Sequence, residues 1–270
     1  MKFLNTYILA FIVVALGFSS CTEIGPEINI QPPKRKVILE EFTGVRCTNC
    51  IDAHLKTEDL LSQHGDNLIV VSIHTGFFAG LLPESTQDFK TSYGNDLDAL
   101  LGPVSTFPSA AINRQLFTNE SDIVLESGKW AGYIAEELAK DSPVELSVIT
   151  SYDAGSRSLT VIPDITFYRD ISRTVHISVM LTENNIVDAQ LSNNGTIPDY
   201  IHKHVLREML TNVAGNPITE TTVSASPVSL QFTTQLPTTW VAENVSAVVS
   251  VHYPSPDYSV LQAEETKIND

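Results

Sequence analysis

Two cysteines three positions apart are the residues of this chain best suited to chemistry. Cys47 and Cys50 follow an apolar segment that starts at Val37 and predicts a strand, so they stand where the next helix should begin. This spacing brings two sulfurs into bonding range, and the positive end of a helix dipole favours a thiolate. The pattern predicts a thiol-disulfide centre in which Cys47 attacks and Cys50, deeper in the helix, resolves.

The elements that must position this pair lie in residues 36–141. Strand and helix patterns alternate there, which is typical of an α/β layer fold. The predicted elements are a strand at Val37–Phe42, a helix from Cys47 to about Gln63, a buried strand at Leu68–His74, short helices near Thr86–Tyr93 and Asp96–Leu101, a strand after Pro108 and a helix within Val124–Lys140.

The order strand, Cys-x-x-Cys, strand and then Thr106-Phe107-Pro108 before another strand resembles the thioredoxin-like fold. The resemblance implies that the Phe107–Pro108 bond is cis and packs beside the disulfide. It also implies that the backbone of Phe107 pairs with an extended, thiol-containing substrate. The alternative is an ordinary loop proline, because most X-Pro bonds are trans.

Glu41 stands six residues before Cys47, where thioredoxins carry a buried acid. A buried carboxyl group beside the resolving thiol would have a raised pKa and shuttle its proton. Glu40 would then face the other side of the strand. The alternative is that both glutamates lie at an exposed strand end.

Arg46 is the charged residue next to the first cysteine. It would lower the pKa of Cys47 electrostatically, or else point into solvent. The run Val45-Arg46-Cys47-Thr48-Asn49-Cys50 differs from the Trp-Cys-Gly-Pro-Cys of reducing thioredoxins, so the direction of the redox reaction does not transfer.

Metal binding is the competing use of these side chains. Cys47, Cys50 and His54 supply three soft ligands, and a fourth would have to come from His74 or the 75–101 excursion. We expect a solvated helix histidine at His54 and a solvated strand edge at His202 and His204. No metal or cofactor is predicted.

Residues 142–270 have a different pattern: short segments in which apolar and polar residues alternate are separated by turn-rich spacers. This pattern predicts an all-β, immunoglobulin-like sandwich. No cysteine follows Cys50, so this segment must fold by its apolar core alone. The predicted strands are Val144–Ile149, Leu159–Ile165, Val175–Leu181, Val228–Phe232 and Ala247–Tyr253.

The N-terminus predicts export. Residues 1–20 read as a signal peptide, and Cys21 after small residues resembles the lipobox of bacterial lipoproteins, where the cysteine carries lipid. An ordinary signal followed by a stray thiol is the alternative. Residues 21–35 read as a tether before the domains at 36–141 and 142–270. The net charge of −16 argues against nucleic acid and against polybasic attachment to lipid.

Over nearly its full length the chain is similar to the outer-membrane lipoproteins related to outer membrane protein twenty-eight. The likeness rests on the lipobox, on Leu39 to Gly44 followed by Cys-x-x-Cys, and on His202 to Arg207. It implies a lipid-anchored protein of the bacterial outer membrane that pairs a thioredoxin-like domain with a β-sandwich. The function predicted from Cys47 and Cys50 is exchange with protein thiols or disulfides. The alternative function is surface adhesion or ligand binding, with the thioredoxin-like domain as scaffold.

Overall fold

The structure, a computed structural model, describes residues 31–219 and 227–268. The predicted signal peptide, Cys21 and most of the predicted tether lie outside the described residues. Within the described ranges, no helix is both long and apolar enough to cross a membrane.

The described chain is mostly β-sheet with few helices. The helices are α1 (Cys50–His64), α2 (Ser92–Leu101) and α3 (Trp130–Leu138). The strands are β1 (Val37–Thr43), β2 (Leu68–His74), β3 (Ser109–Ile112), β4 (Val124–Glu126), β5 (Val144–Asp153), β6 (Ser158–Phe167), β7 (His176–Glu183), β8 (Ile186–Ser192), β9 (Gly195–His202), β10 (Val205–Met209), β11 (Asn216–Pro217), β12 (Pro227–Ser229), β13 (Phe232–Gln235), β14 (Val245–His252) and β15 (Val260–Lys267).

One large mixed sheet runs through both halves of the described chain. Its main path is β15-β14-β7-β10-β2-β1-β3-β4, with β2 parallel and β3 antiparallel to β1. A smaller sheet holds β5, β6, β12 and β13, and β8 pairs with β9 as a separate hairpin. The layers of sheet are compatible with the predicted β-sandwich.

Three apolar clusters hold these layers together. The first packs the β5–β6 sheet against β7 and β14, and its buried members all lie between Val144 and Ile268. The second packs α1 and α3 on one face of β1 and β2, with members between Val37 and Ile134. The third, under α2, combines residues of both halves. Burial of apolar area on this scale is the main stabilising term.

The predicted domain boundary after residue 141 stays a prediction. The structure shows contacts that join the segments on its two sides. Two of the apolar clusters fall on either side of that boundary, but the third cluster and the sheet path β10-β2 join the two segments. Residues from Pro32 onward form one compact unit.

The last predicted tether residues are docked on this unit. The backbone of Pro33 accepts a hydrogen bond from the Ser142 N–H, and Arg35 pairs with buried Glu137 at 2.7 Å. Pro33 and Arg35, at the end of the predicted tether, are therefore held by contacts with later residues, and the predicted bounds 21–35 stay a prediction.

Several element boundaries differ from prediction. The helix predicted from Cys47 begins at Cys50, and Cys47 lies in the preceding turn. The segment 86–91 is not helical, and α2 begins after Thr91, whose side chain caps it by accepting a hydrogen bond from the Gly94 N–H. The helix predicted within 124–140 starts only at Trp130, after the short strand β4. The single strand predicted at Val228–Phe232 is interrupted between β12 and β13.

A buried ion pair ties β1 to the segment after β3. Both carboxylate oxygens of Glu40 accept hydrogen bonds from Arg114, at 2.7 and 2.8 Å, and both side chains are fully buried. Glu40 thus faces away from Glu41, as alternation along a strand requires. The alternative of two exposed glutamates is wrong.

Replacing Arg114 tests how far the sheet depends on this pair. Arg114→Met leaves a buried carboxylate without its partner, so we expect the free energy of unfolding to fall by about 3–5 kcal/mol. The control is Lys34→Met, which removes a largely exposed pair with Asp141 and should cost about 1 kcal/mol or less. Urea denaturation measures both, and equal losses in the two variants would contradict this role for Arg114.

Candidate redox site and the cavity beside it

Cys47 and Cys50 form a disulfide in the turn between β1 and α1. Backbone hydrogen bonds shape the turn: the Cys47 N–H donates to Gly44 and the Cys50 N–H donates to Cys47. Gly44 is required there, because a Cβ at this position would lie 2.3 Å from the backbone of Phe78. The sulfurs therefore sit at the helix N-terminus, where a thiolate formed on reduction is favoured.

Both cysteines are buried. Cys47 is 3% exposed and Cys50 is fully covered. Cys47, predicted from the sequence as the attacking cysteine, is therefore almost as buried as Cys50. A client thiol needs access to a sulfur before it can attack. The segments that pack on the cysteine turn, the covering segments, therefore control whether the disulfide reacts.

The hairpin β8–β9 is one of these covering segments. The Leu191 N–H donates to the Val45 carbonyl at 2.7 Å, which pairs the hairpin with the cysteine turn. The side chain of buried Gln190 donates to the Cys47 carbonyl at 3.1 Å. Neither the hairpin nor Gln190 was identified from the sequence.

Asp188 fixes the hairpin to the loop that follows β2. Its carboxylate accepts hydrogen bonds from the backbone N–H groups of Thr86 and Gln87 at 2.8–3.1 Å, and from its neighbour Ala189 at 2.8 Å. Asp188 is 2% exposed. Charge-assisted hydrogen bonds of this kind are the strong ones, so one side chain holds two covering segments together.

An aromatic group lies beside the cysteine turn. The Phe78 carbonyl accepts a hydrogen bond from the Arg46 N–H, and the rings of Phe78 and Phe107 lie 5.3 Å apart. The Phe107–Pro108 bond is cis, as the resemblance implied. Phe77 is 77% exposed. The aromatic group thus connects the proline loop to the turn that carries the disulfide.

Arg46 neither points freely into solvent nor pairs with a carboxylate among its described contacts. Its guanidinium donates to the Leu81 carbonyl and lies over Gly80. Arg46 therefore holds the covering loop against the cysteine turn, a role that its position in the sequence did not reveal.

Glu41 is buried on the α1 side of the sheet, 1% exposed. Burial raises the pKa of its carboxyl group from 4.5 to about 8, so at neutral pH the group is mostly protonated. The predicted burial of Glu41 is confirmed, the direction of its pKa agrees with the prediction, and its role in proton transfer stays a prediction.

Beside Glu41 lies a partly enclosed cavity of about 160 Å³ between α1, β2 and the end of β9. The chemically active groups on its wall come from four elements and were widely separated in the sequence: Glu41, His54, Glu58, His74, Tyr200 and His202. The expectation of solvated histidines is wrong for His202, which is 2% exposed, and for His54, which is largely enclosed. The ring of Tyr200, on β9, lies against both imidazoles, and Phe89, from the segment after β2, packs on His202.

His54 is the central contact of the cavity. Its Nδ1 lies 2.8 Å from the Tyr200 hydroxyl, and its Nε2 lies 3.1 Å from the Thr43 hydroxyl and 3.7 Å from Glu41 Oε1. Burial lowers the pKa of His54 from 6.5 to about 4. The contact with Glu41 therefore joins a neutral imidazole to a protonated carboxyl group, and it is not an ion pair.

Two further histidines are also neutral. Burial holds the pKa of His74 well below its usual value and lowers that of His202 to about 4. Their rings are 5.9 Å apart and both pack on Phe89. Several buried polar atoms here have no hydrogen-bond partner in the described chain, namely Glu41 Oε1, both ring nitrogens of His74 and His202 Nε2. Such groups are usually satisfied by water when a polar cavity has room for it.

Among residues 31–219 and 227–268, no group of three or more His, Cys, Asp or Glu side chains is arranged to hold a metal ion. His54, the sequence candidate for a third ligand, is instead engaged by Tyr200 and Thr43.

Comparison with known proteins places the chain in a family. The family model described as Outer membrane protein Omp28 matches residues 101–270, well over half of the chain. The chain belongs to the Omp28 family. Membership confirms the predicted localisation at the bacterial outer membrane. The matched segment begins after Cys47 and Cys50, so it does not bear on the disulfide.

Two solved structures from Porphyromonas gingivalis are similar to this chain. HBP35 aligns at a TM-score of 0.72 with 15% identity, over 89% of this chain and 77% of its own, which shows a shared fold. A domain of the outer membrane lipoprotein Omp28 has 16% identity over 47% of this chain and 89% of its own, at a TM-score of 0.33. No curated protein matches the chain.

Removing the charge of Asp188 tests the cover over the disulfide. Asp188→Asn weakens hydrogen bonds to Thr86 and Gln87, so we expect dithiothreitol to reduce Cys47–Cys50 several-fold faster, with about 1–3 kcal/mol lost from stability. The rate is measured by thiol trapping over time. Asp199→Asn, an exposed change on β9 of the same hairpin, is the control. Equal rates for wild type and both variants would show that Asp188 does not limit access.

Proposed function

We propose that this outer-membrane protein exchanges disulfides with protein thiols through Cys47 and Cys50. The observation that carries the proposal is the placement of the pair at the N-terminus of α1, with an acid of raised pKa, Glu41, on the strand that precedes it. A helix N-terminus favours the attacking thiolate, and a protonated acid supplies the proton that a leaving thiolate needs.

The fold around the pair supports a thioredoxin-like unit at residues 36–141. The strand order β2-β1-β3-β4 places β1 at the centre, with α1 and α3 on one face and α2 on the other. The cis Phe107–Pro108 bond directly precedes β3. Fold alone does not assign an activity, so the proposal rests on the cysteines and Glu41.

Cys47 acts as the attacked and attacking sulfur, and Cys50 as the resolving one. Phe107 and Pro108 shape the surface that meets the client, and Arg46 holds the loop beside it. Residues 142–270, proposed as an immunoglobulin-like sandwich, supply the hairpin β8–β9 over the turn. Attachment through lipid at Cys21 keeps the unit at the membrane.

The second candidate is a surface adhesion or ligand-binding protein in which the disulfide is structural. The burial of both cysteines favours it, since a buried disulfide is shielded from client thiols. Exposed Phe77 and Leu81 offer apolar contact area for a ligand. A disulfide that closes so short a loop stabilises little by chain entropy, which favours the redox function instead.

The reduction potential of the pair separates the two functions. We expect a value between about −120 and −270 mV, the range of catalytic dithiols, for the full chain in detergent equilibrated with glutathione or dithiothreitol and read by thiol trapping. The variant Cys47→Ser/Cys50→Ser is the control and should show no transition. A potential below about −300 mV marks an inert structural bridge and favours the binding function.

A further inference from the structure

We propose that His54 and Tyr200 transfer protons for the Cys47–Cys50 pair by connecting the buried carboxyl group of Glu41 to the surface. The inference rests on the proposed disulfide exchange and extends the reactive unit to β9, a strand outside the cysteine segment. Both residues act through Glu41 and touch neither sulfur.

Burial creates the need for such a connection. When Cys50 leaves as a thiolate in a fully buried position, the charge is costly until a proton arrives. Glu41 is the protonated acid on the adjoining strand. After giving up its proton it is itself a buried carboxylate, 1% exposed, and it must regain a proton from water.

His54 lies between Glu41 and the surface. It follows Cys50 by one helical turn, and positions four apart share a helix face about 6 Å along the axis. Its Nε2 lies 3.7 Å from Glu41 Oε1, a distance that a small side-chain rotation or one water closes. Its Nδ1 lies 2.8 Å from the Tyr200 hydroxyl. Tyr200 is only partly buried, at the wall of a cavity that opens to solvent.

The relay uses the tautomer of His54 that carries its hydrogen on Nε2. In this tautomer Nδ1 accepts from the Tyr200 hydroxyl at 2.8 Å, and Nε2 donates to the Thr43 hydroxyl at 3.1 Å until a rotation or a water redirects it to Glu41. In one concerted shift the Nε2 proton passes to the Glu41 carboxylate, Nδ1 takes the phenol proton, and a water at the open side of the cavity gives its proton to the phenol oxygen and leaves as hydroxide. The shift must be concerted because burial raises the pKa of Tyr200 to about 12 and so disfavours a phenolate. No charged imidazole forms, which matters because burial disfavours one.

The exchange begins when a client thiolate attacks Sγ of Cys47 and the Cys47–Cys50 bond breaks. The electron pair of that bond stays on Cys50 Sγ, which then takes the proton of Glu41. The second client thiolate then attacks the mixed disulfide and releases Cys47, which is protonated from water. The client dithiol is oxidised and the cysteine pair is reduced. The two protons lost by the client are regained by Cys50 through the relay and by Cys47.

Other titratable and charged groups face this relay. They are Glu58 on α1, His74 on β2, His202 on β9, Lys203 and His204 in the turn that follows, and Arg207 on β10. Of these, Glu58 and Lys203 pair with each other at 2.6 Å at the mouth of the cavity. The imidazoles of His74 and His202 are neutral near pH 7, so they leave the relay without a competing charge.

Tyr200→Phe and His54→Gln test the relay in the full chain in detergent. We expect each variant to slow reduction by dithiothreitol by about 10- to 100-fold at pH 7. The reduction potential should stay unchanged, and added imidazole should restore much of the rate. A solvent deuterium isotope effect in the wild type should shrink in both variants. Tyr133→Phe on α3 is the control. It removes a hydroxyl that donates a hydrogen bond to Glu120, and it should match the wild type.

The outcomes separate this inference from the proposed function. If the wild type exchanges disulfides and both variants keep its rate and isotope effect, the relay is wrong and the exchange function stands. If the wild type itself does not exchange with dithiothreitol or glutathione, both fail. Thermal unfolding of each variant accompanies the rates, and Tyr200→Phe, which keeps the ring, preserves the test if His54→Gln is poorly folded.

Discussion

The candidate site depends on the pairing of the β8–β9 hairpin with the turn that carries the cysteines. The Leu191–Val45 backbone hydrogen bond and the Asp188 carboxylate close the hairpin over the disulfide. The hairpin connects β7 to β10, two neighbouring strands of the large sheet, so the sheet holds it in place from both ends. The same hairpin also encloses Glu41 and the histidines, because Tyr200 and His202 lie on β9 and line the cavity.

Three buried groups of the cavity wall, Glu41, His54 and His202, are uncharged at neutral pH. The raised pKa of Glu41 and the lowered pKa values of His54 and His202 have the same cause, burial. Their effects on stability have opposite signs with pH. The Glu41 contribution is fully present below about pH 4.5 and is lost as pH rises toward 8, whereas the histidines destabilise the fold as pH falls from 6.5 toward 4. The cluster therefore favours a window near neutrality.

Local patterns in the sequence were enough to locate β1, β2, the cysteine turn and the buried Glu41, because strand alternation and Cys-x-x-Cys spacing are short-range signals. The cis Phe107–Pro108 bond followed from resemblance. The hairpin and its contacts were missed, since Gly195 to His202 contains Pro198 and Asp199 and lacks an apolar pattern. The alternating polar positions Asp188 and Gln190, and Tyr200 and His202, were the available signal. Their partners lie more than 80 residues away, and no local rule specifies such pairing.

The central claim is that the disulfide and the buried acid form one coupled unit. Carbon-13 NMR of the Glu41 carboxyl group, assigned with Glu41→Gln and titrated in the oxidised and reduced protein, tests it most directly. We predict a pKa near 8 in the oxidised protein and a different value after reduction, because the Cys50 thiol then shares the site. An ordinary pKa near 4.5 that is the same in both redox states would contradict the claim.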